Sequence, residues 1–254
     1  MLANDRYNKI LEVLEREGSV KTSKLVTLLG ISLETARRDL DFLEKQGSLQ
    51  KVHGGAILKN KEGNNLTYSL REVKNTEEKK EIANLALNYI IEGETIALNS
   101  STTNIEIAKL IKNRYSSLTV VTNSLLIAEE LADLKGINLI LAGGVYNKSE
   151  YAFLGEITSK FLDKFSVDKS FVSVGGISLK RGITDFLTDE VLVERKMIEI
   201  AEEVIVLADS SKIDSNSLIK ICNTEDIDFI ITDSKLDEDI KQKYINENIK
   251  IINS

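Results

Sequence analysis

The sequence predicts an α/β chain in two parts. Three short helices and a hairpin come first, followed by a larger domain of helices on a parallel sheet. Three observations carry this. Apolar residues recur at helical spacing three times within the first 45 positions. A glycine-centred turn then joins two short strand-like runs. From residue 95 onward, seven short apolar runs alternate with helical patterns. Near-continuous apolar strands separated by helices indicate a parallel sheet covered on both faces.

Tyr7, Ile10, Leu11 and Leu14 define one face of a first helix from about Asn4 to Glu17, stopped by Gly18. Thr22 is read as the N-cap of a second helix, with Leu25, Leu28 and Leu29 on one face and Gly30 closing it. Ser32 is read as the N-cap of a third, whose stripe is Leu33, Ala36, Leu40 and Leu43 and whose end is Gly47. The tight turn at Gly30-Ile31 makes the last two a helix-turn-helix. At about 100° per residue, Thr35 and Arg38 point away from the apolar sector, and Arg37 lies at its flank next to Asp41. Such a helix is suited to a major groove. Arg38 is placed to reach a guanine edge or a phosphate, and Arg37 to clamp backbone phosphate. The competing reading is a solvated face whose arginines are held by Asp39, Asp41 and Glu44.

Leu49 to Val52 and Ala56 to Leu58 read as the strands of a hairpin with His53-Gly54-Gly55 at its tip. A hairpin directly after a recognition helix is a wing, which would lay Lys51 and His53 on the DNA backbone or minor groove. Residues 1–58 are therefore assigned to a winged helix-turn-helix domain, 59–75 to a polar linker and 76–254 to the α/β domain.

Composition bears on function. The chain has 254 residues, 42% hydrophobic and 29% charged, as expected of a soluble globular protein. Its net charge is −7, yet residues 1–60 carry ten basic against eight acidic residues, net +2. The remaining 23 basic and 32 acidic residues give net −9, so the acidity belongs to the C-terminal part and does not oppose DNA binding. His53 and Cys222 are the only histidine and cysteine. No disulfide, no Ser-His-Asp hydrolase, no metal and no cofactor is expected from such a set. Cys222, in an apolar run, is read as buried filler. The N-terminal residues are polar with no apolar stretch behind them, and no run approaches the roughly 18 residues that span a membrane. A cytoplasmic protein without membrane contact is expected.

The stretch "ISLETARRDLDFLEKQGSLQKVHGGAIL" resembles the winged helix-turn-helix of the DeoR family of bacterial transcriptional regulators. The S-x-x-T-x-R-R-D-L core at Ser32 to Leu40 and the VHGGA wing at Val52 to Ala56 carry the likeness. Ala36 stands where the family usually has isoleucine or valine. The resemblance implies a double-stranded DNA operator as partner and Ser32, Thr35, Arg37, Arg38, Lys51 and His53 as DNA-contacting residues.

In the second part, Thr76 is read as the cap of a helix with Ile82, Leu85, Ala86, Tyr89 and Ile90 on its apolar face. Strands are expected at about 95–99, 118–122, 137–142, 168–174, 203–208, 227–232 and 248–252. In parallel sheets ligands bind beyond the C-terminal strand ends. Those ends read Asn99-Ser100-Ser101-Thr102-Thr103, Thr122-Asn123-Ser124, Gly143-Gly144, Gly175-Gly176 and Asp209-Ser210-Ser211-Lys212. Hydroxyls and free N–H groups at a helix start suit an anion such as phosphate, although simple N-capping needs one hydroxyl only. Glycines let a ligand approach the backbone.

"SSTT", "LTVVTNS", "LAGGVY", "DKSFVSVGGIS" and "VIVLADSSK" are similar to the C-terminal sensor domain of the same family, itself similar to ribose-5-phosphate isomerase. The resemblance implies that Ser100, Ser101, Thr102, Thr103, Asn123, Gly143, Gly144, Gly175, Gly176, Asp185 and Lys212 bind a small phosphorylated sugar. Departures fall at Asn99, where the family commonly has aspartate, at Ser101, where it has glycine, and at Gly175, where it often has asparagine. The expected function is a repressor of sugar metabolism genes, controlled by that phosphosugar and acting as a homo-oligomer, dimer or tetramer, with no catalytic residues. One alternative is a sugar-phosphate isomerase-like enzyme using Asp185, Asp189, Glu190 and Lys212 as acid–base groups. A purely architectural DNA-binding protein is the other.

Overall fold

A computed structural model describes residues 2–45, 49–58 and 68–253. The chain divides into two compact units, Met1–Thr76 and Glu77–Ser254.

The first unit runs α1 (Ala3–Glu17), β1 (Ser19–Lys21), α2 (Thr22–Leu29), α3 (Leu33–Lys45), β2 (Leu49–Val52), β3 (Gly55–Leu58) and α4 (Tyr68–Val73). Gly18 and Gly30 end α1 and α2 with φ of 72° and 62°, a conformation that costs glycine little. Their N–H groups return to Leu14 O and Val26 O. Ile10, Leu14, Leu25, Leu40, Leu43 and Leu49 meet in one core. The three strands form an antiparallel sheet in the order β1-β3-β2. β1, three residues long, was not expected.

Several sequence readings shift. Thr22 does not cap α2: it is the helix's first residue, and its N–H donates to Gly54 O (2.9 Å), tying the helix start to the wing turn. Leu28 is 51% exposed, because the buried stripe is Thr22, Leu25 and Leu29 and Leu28 falls about 90° from its centre. Leu33, at the first position of α3, is likewise exposed, and Asp39 joins Ala36, Leu40 and Leu43 on the buried face instead. The expected helix end at Gly47 lies outside the described residues. So does 59–67 of the expected linker, while Tyr68–Val73 inside it is helical, with Tyr68 buried and Val73 packed on the first unit's core.

The second unit runs α5 (Thr76–Ala86), β4 (Thr95–Leu98), α6 (Asn104–Ile111), β5 (Leu118–Thr122), α7 (Leu125–Leu131), β6 (Ile137–Leu141), β7 (Val145–Asn147), β8 (Ala152–Leu154), α8 (Glu156–Leu162), β9 (Val167–Ser173), β10 (Gly176–Ser178), β11 (Gly182–Asp185), α9 (Thr188–Glu199), β12 (Ala201–Leu207), β13 (Ile219–Cys222), β14 (Phe229–Ile231), α10 (Glu238–Asn246) and β15 (Ile251–Ile252). Thr76 does not cap α5; its hydroxyl donates back to Val73 O (3.2 Å). All seven expected strands occur and form one parallel sheet in the order β15-β14-β12-β9-β4-β5-β6. Successive residues of a strand face opposite layers. Ile96 and Leu98 pack with Ile82, Ile107 and Ile127 of α5, α6 and α7, whereas Ala97 packs in a second layer with Leu162, Met197 and Tyr244 of α8, α9 and α10.

The strand order reverses between β4 and β9, and in open parallel sheets ligands bind beyond the C-terminal strand ends at such a point. The unexpected short strands add a β7–β8 hairpin and a β10-β11-β13 sheet, inserted after β6, β9 and β12. Cys222, at the end of β13, is only part-buried, and burial pushes its thiol up to about 12.

Candidate functional site

The outer face of α3 is set by its caps and neighbours. Ser32 Oγ accepts from the N–H of Thr35 (3.1 Å), as an N-cap should, and shares a 2.9 Å hydrogen bond with Thr35 Oγ1. Arg37 and Arg38 are exposed. Among the described residues neither has a hydrogen bond or ion pair. The three acids that could have held them are engaged elsewhere. Asp39 is buried and accepts from Arg6 Nε and Nη2 at 2.6 and 2.9 Å. Asp41 pairs with Lys51 Nζ, and Glu44 Oε1 accepts from the Lys51 N–H at 2.7 Å. Glu34, one turn before them, is exposed and pairs with neither, so the helix presents two cations that no carboxylate of the described residues engages.

Lys51 itself is not a free wing cation; it ties β2 to α3. His53 is exposed in the turn, beside Gly54 with φ +81°. Gly55 is in β3, not the tip, and a Cβ there would lie 2.1 Å from Val20 O, so glycine is what lets β1 approach.

In the second unit the ends of β4 and β9 lie side by side where the strand order reverses. Asn99 bridges these ends: its Oδ1 accepts from the Ser173 N–H (2.9 Å) and its Nδ2 donates to Ser173 O (2.9 Å) and Glu194 Oε1 (3.3 Å). Asn104 Nδ2 donates to Asn99 Oδ1 (2.8 Å) and Phe171 O (2.9 Å). An amide, having both donor and acceptor, does here what a carboxylate could not do toward Ser173 O.

Ser100 to Thr103 are all buried. Ser101 Oγ caps α6 through the Asn104 N–H (2.8 Å), and Ser100 is held by Asn123 through its N–H (2.9 Å) and hydroxyl (3.3 Å). Thr102 and Thr103 make no side-chain hydrogen bond among the described residues. Asn123 Nδ2 also donates to Phe153 O (3.0 Å), fixing the β7–β8 hairpin beside this loop.

Lys212 Nζ donates to Val174 O (2.7 Å). Asp209 is buried, which pushes its carboxyl up, but Lys212, the Ser211 hydroxyl and Lys79 outweigh that and hold it below its ordinary range. Ser210 N–H donates to Asp233 Oδ2 (2.6 Å), and the next residue, Ser234, is clasped by Glu81 of α5 (2.8 and 3.1 Å).

The glycines separate by role. A Cβ on Gly143 would meet nothing within 4 Å, so its backbone is approachable. On Gly144 it would strike Thr158 Oγ1 at 2.1 Å, which gives that glycine a packing reason. Gly175 and Gly176 lie under Ser217 and Ser215, at 2.6 and 3.0 Å from a hypothetical Cβ. Asp185 Oδ1 is 3.0 Å from the Gly175 position, while Asp189 is exposed.

Sequence reasoning missed Lys79, Asn104, Glu194, Ser217 and Asp233. A signal existed for two: Lys79 shares the spacing of Ile82, Ala83 and Ala86, and Glu194 that of Val193 and Met197, so each charge sits in an apolar stripe and both are buried.

Comparison with known proteins places these features. A family model described as the DeoR-like helix-turn-helix domain matches residues 6–62, and one described as the DeoR C terminal sensor domain matches 74–234. The HTH-type transcriptional repressor GlcR of Bacillus subtilis (strain 168) is 37% identical, over 92% of this chain and 89% of its own. The putative aga operon transcriptional repressor of Escherichia coli O157:H7 is 33% identical, over 98% and 93%. The glycerol-3-phosphate regulon repressor of Escherichia coli (strain K12) is 30% identical over 99% of each chain. Ribose 5-phosphate isomerase A of Methanocaldococcus jannaschii aligns over 55% of each chain at 18% identity with a TM-score of 0.39, too slight a likeness to bear on function. On the two family models and these full-length relatives, the chain belongs to the DeoR family and is a DNA-binding transcriptional regulator rather than an enzyme.

Proposed function

We propose that this regulator is a repressor that seats α3 in the major groove of a double-stranded operator and is released by a small phosphorylated sugar bound at the C-terminal edge of the second unit's sheet. The observation that carries the first half is the outer face of α3. Arg37 and Arg38 are exposed while Asp39, Asp41 and Glu44 are all engaged elsewhere, so the cations are left for phosphate and base edges. Ser32 and Thr35 hold the helix start, and His53 at the wing turn reaches the flanking backbone. Lys51 supports this face by joining wing to helix.

The effector reading is supported by the Thr102 and Thr103 hydroxyls ahead of α6, by Asn123, which holds the neighbouring Ser100, by the open backbone of Gly143 past the end of β6, and by Lys212 at the end of β9. Glycerol 3-phosphate in the name of one relative's regulon agrees with a phosphorylated metabolite. Such a ligand changes operator affinity only through different affinities for the two arrangements of the protein. A homo-oligomer, dimer or tetramer, would match repeated half-sites, and the site of action is the cytoplasm.

The test is fluorescence anisotropy of the full-length chain on DNA from upstream of its own gene, at fixed salt, with and without a panel of sugar phosphates. Binding that one phosphosugar abolishes supports both halves. Tight binding that the whole panel leaves unchanged removes the phosphosugar.

A further inference from the structure

Ser217 carries a hydroxyl that the fold does not use. The residue is 6% exposed, its N–H donates to Thr184 Oγ1 (2.8 Å), and its Oγ has no hydrogen-bond partner among the described residues. A buried hydroxyl without a partner costs stability, so its persistence needs a reason. Ser170 and Thr232 also bury unpartnered hydroxyls, but Ser170 lies within β9 and Thr232 directly follows β14. Ser217 instead lies against Gly175, two residues past the C-terminal end of β9, the strand at which the sheet order reverses. One point beside Gly175 is 2.6 Å from Ser217 Oγ and 3.0 Å from Asp185 Oδ1. The preceding carbonyl, Val174 O, receives Lys212 Nζ at 2.7 Å. A hydroxyl, a carboxylate and a cation therefore surround the backbone at residues 174–175, and the missing side chain of Gly175 is what leaves room for the hydroxyl there.

We propose that Ser217 is a specificity residue that, with Asp185, reads a hydroxyl of the effector's carbohydrate part rather than its phosphate. This rests on the phosphosugar reading above. The chemistry favours a hydroxyl over a phosphate. A carboxylate accepts from a sugar O–H but repels a phosphate oxygen, and the serine hydroxyl can donate to or accept from the same group.

The experiment compares full-length wild type with Ser217→Ala by isothermal titration against glucose 6-phosphate, fructose 6-phosphate, glycerol 3-phosphate and inorganic phosphate, with melting temperatures recorded for both. Because the hydroxyl is unpartnered, the variant should melt no lower than wild type. It should bind the phosphosugar that wild type binds about 3–10-fold more weakly, the loss of one neutral hydrogen bond, while inorganic phosphate binding is unchanged. A lower melting temperature would make the hydroxyl structural and overturn the proposal. So would unchanged phosphosugar affinity, or an equal loss for phosphosugar and inorganic phosphate. Wild type that binds none of the probes would sink the effector reading itself, and this inference with it.

Discussion

Arg6 of α1 grips Asp39 of α3 with two hydrogen bonds, 2.6 Å from Nε and 2.9 Å from Nη2, at a carboxylate with 1% of its side chain exposed. The pair is bidentate, and it seats the helix that carries Arg37 and Arg38. The hydrogen bond with Asp39 raises the arginine's pKa further above its ordinary value, so its charge is constant in any usable buffer. Removing one partner of a buried pair leaves a stranded charge, which costs about 3–5 kcal/mol, whereas replacing both by apolar groups of similar volume is often near neutral. Asp39→Ala should therefore lower the stability of the first unit by about 3–5 kcal/mol, and Arg6→Met with Asp39→Leu should recover most of it. Scanning calorimetry of the full-length chain reads both. Equal losses in the single and the double variant would mean that the pair is not what joins the helices.

Adjacent glycines in the wing make opposite demands. Gly54 needs only its left-handed φ of +81°, with open space around a Cβ, so Gly54→Ala should cost about 1–2 kcal/mol. Gly55 faces Val20 O, a backbone atom that cannot swing away from a Cβ 2.1 Å off. Gly55→Ala should cost more than Gly54→Ala, with strand β1 displaced and operator affinity reduced as well. Thermal melts and anisotropy on the two variants check the order.

Acid should weaken the second unit through Asp209. Its folded pKa lies below its unfolded value, since Lys212, Ser211 and Lys79 overcome the opposing effect of burial. A depressed carboxylate contributes stability above its unfolded pKa, about 4, and loses that contribution as pH falls through the folded value. Melting temperature recorded from about pH 6 down to pH 3 should fall along this limb, and Asp209→Asn should flatten it. An acid limb of unchanged steepness in the variant would remove Asp209 from the account.

Cys222 offers a labelling test of the β10-β11-β13 sheet. Burial raises its thiol to about 12, so at pH 8 the thiolate is a trace species. Iodoacetamide should react on the order of a thousandfold more slowly than with a free cysteine of pKa about 8.5, and at the free rate after unfolding. As the chain has one cysteine, total labelling reads this position alone. Rapid labelling of the native protein would show that the end of β13 is not packed as the structure has it.

Much of this was legible from residues alone. All seven strands of the main sheet were visible as apolar runs, because strands buried on both faces tolerate little else. Gly18 and Gly30 marked helix ends and Ser32 a helix start, each through local backbone chemistry. Five strands of the second unit, β7, β8, β10, β11 and β13, were not placed: they lie outside the main sheet, and all but β8 are interrupted by polar residues or glycine, so no long apolar run marks them. Nor was the partner of Asp39, because a sequence separation of 33 gives no local hint of Arg6. A carboxylate at i+3 in the Ala36, Leu40, Leu43 stripe did signal that some cation must reach it, as Lys79 and Glu194 signal buried polar ends in the larger unit. At the strand ends the sequence marked residue types correctly but not their allegiance. Gly144 is spent on Thr158 and Ser101 on capping α6, whereas Thr102, Thr103 and Ser217 keep their hydroxyls unspent.

The central claim is that α3 reads DNA with its two exposed, unpaired arginines. Anisotropy titrations of wild type, Arg37→Ala and Arg38→Ala on upstream and scrambled DNA, over a series of salt concentrations, test it most directly. Arg38→Ala should cost about 1–3 kcal/mol on the upstream DNA and narrow its advantage over the scrambled duplex. Arg37→Ala should weaken both duplexes alike and reduce the salt slope by about one unit. Wild-type affinity and slope in both variants would contradict the account, and would place the DNA contact somewhere other than α3.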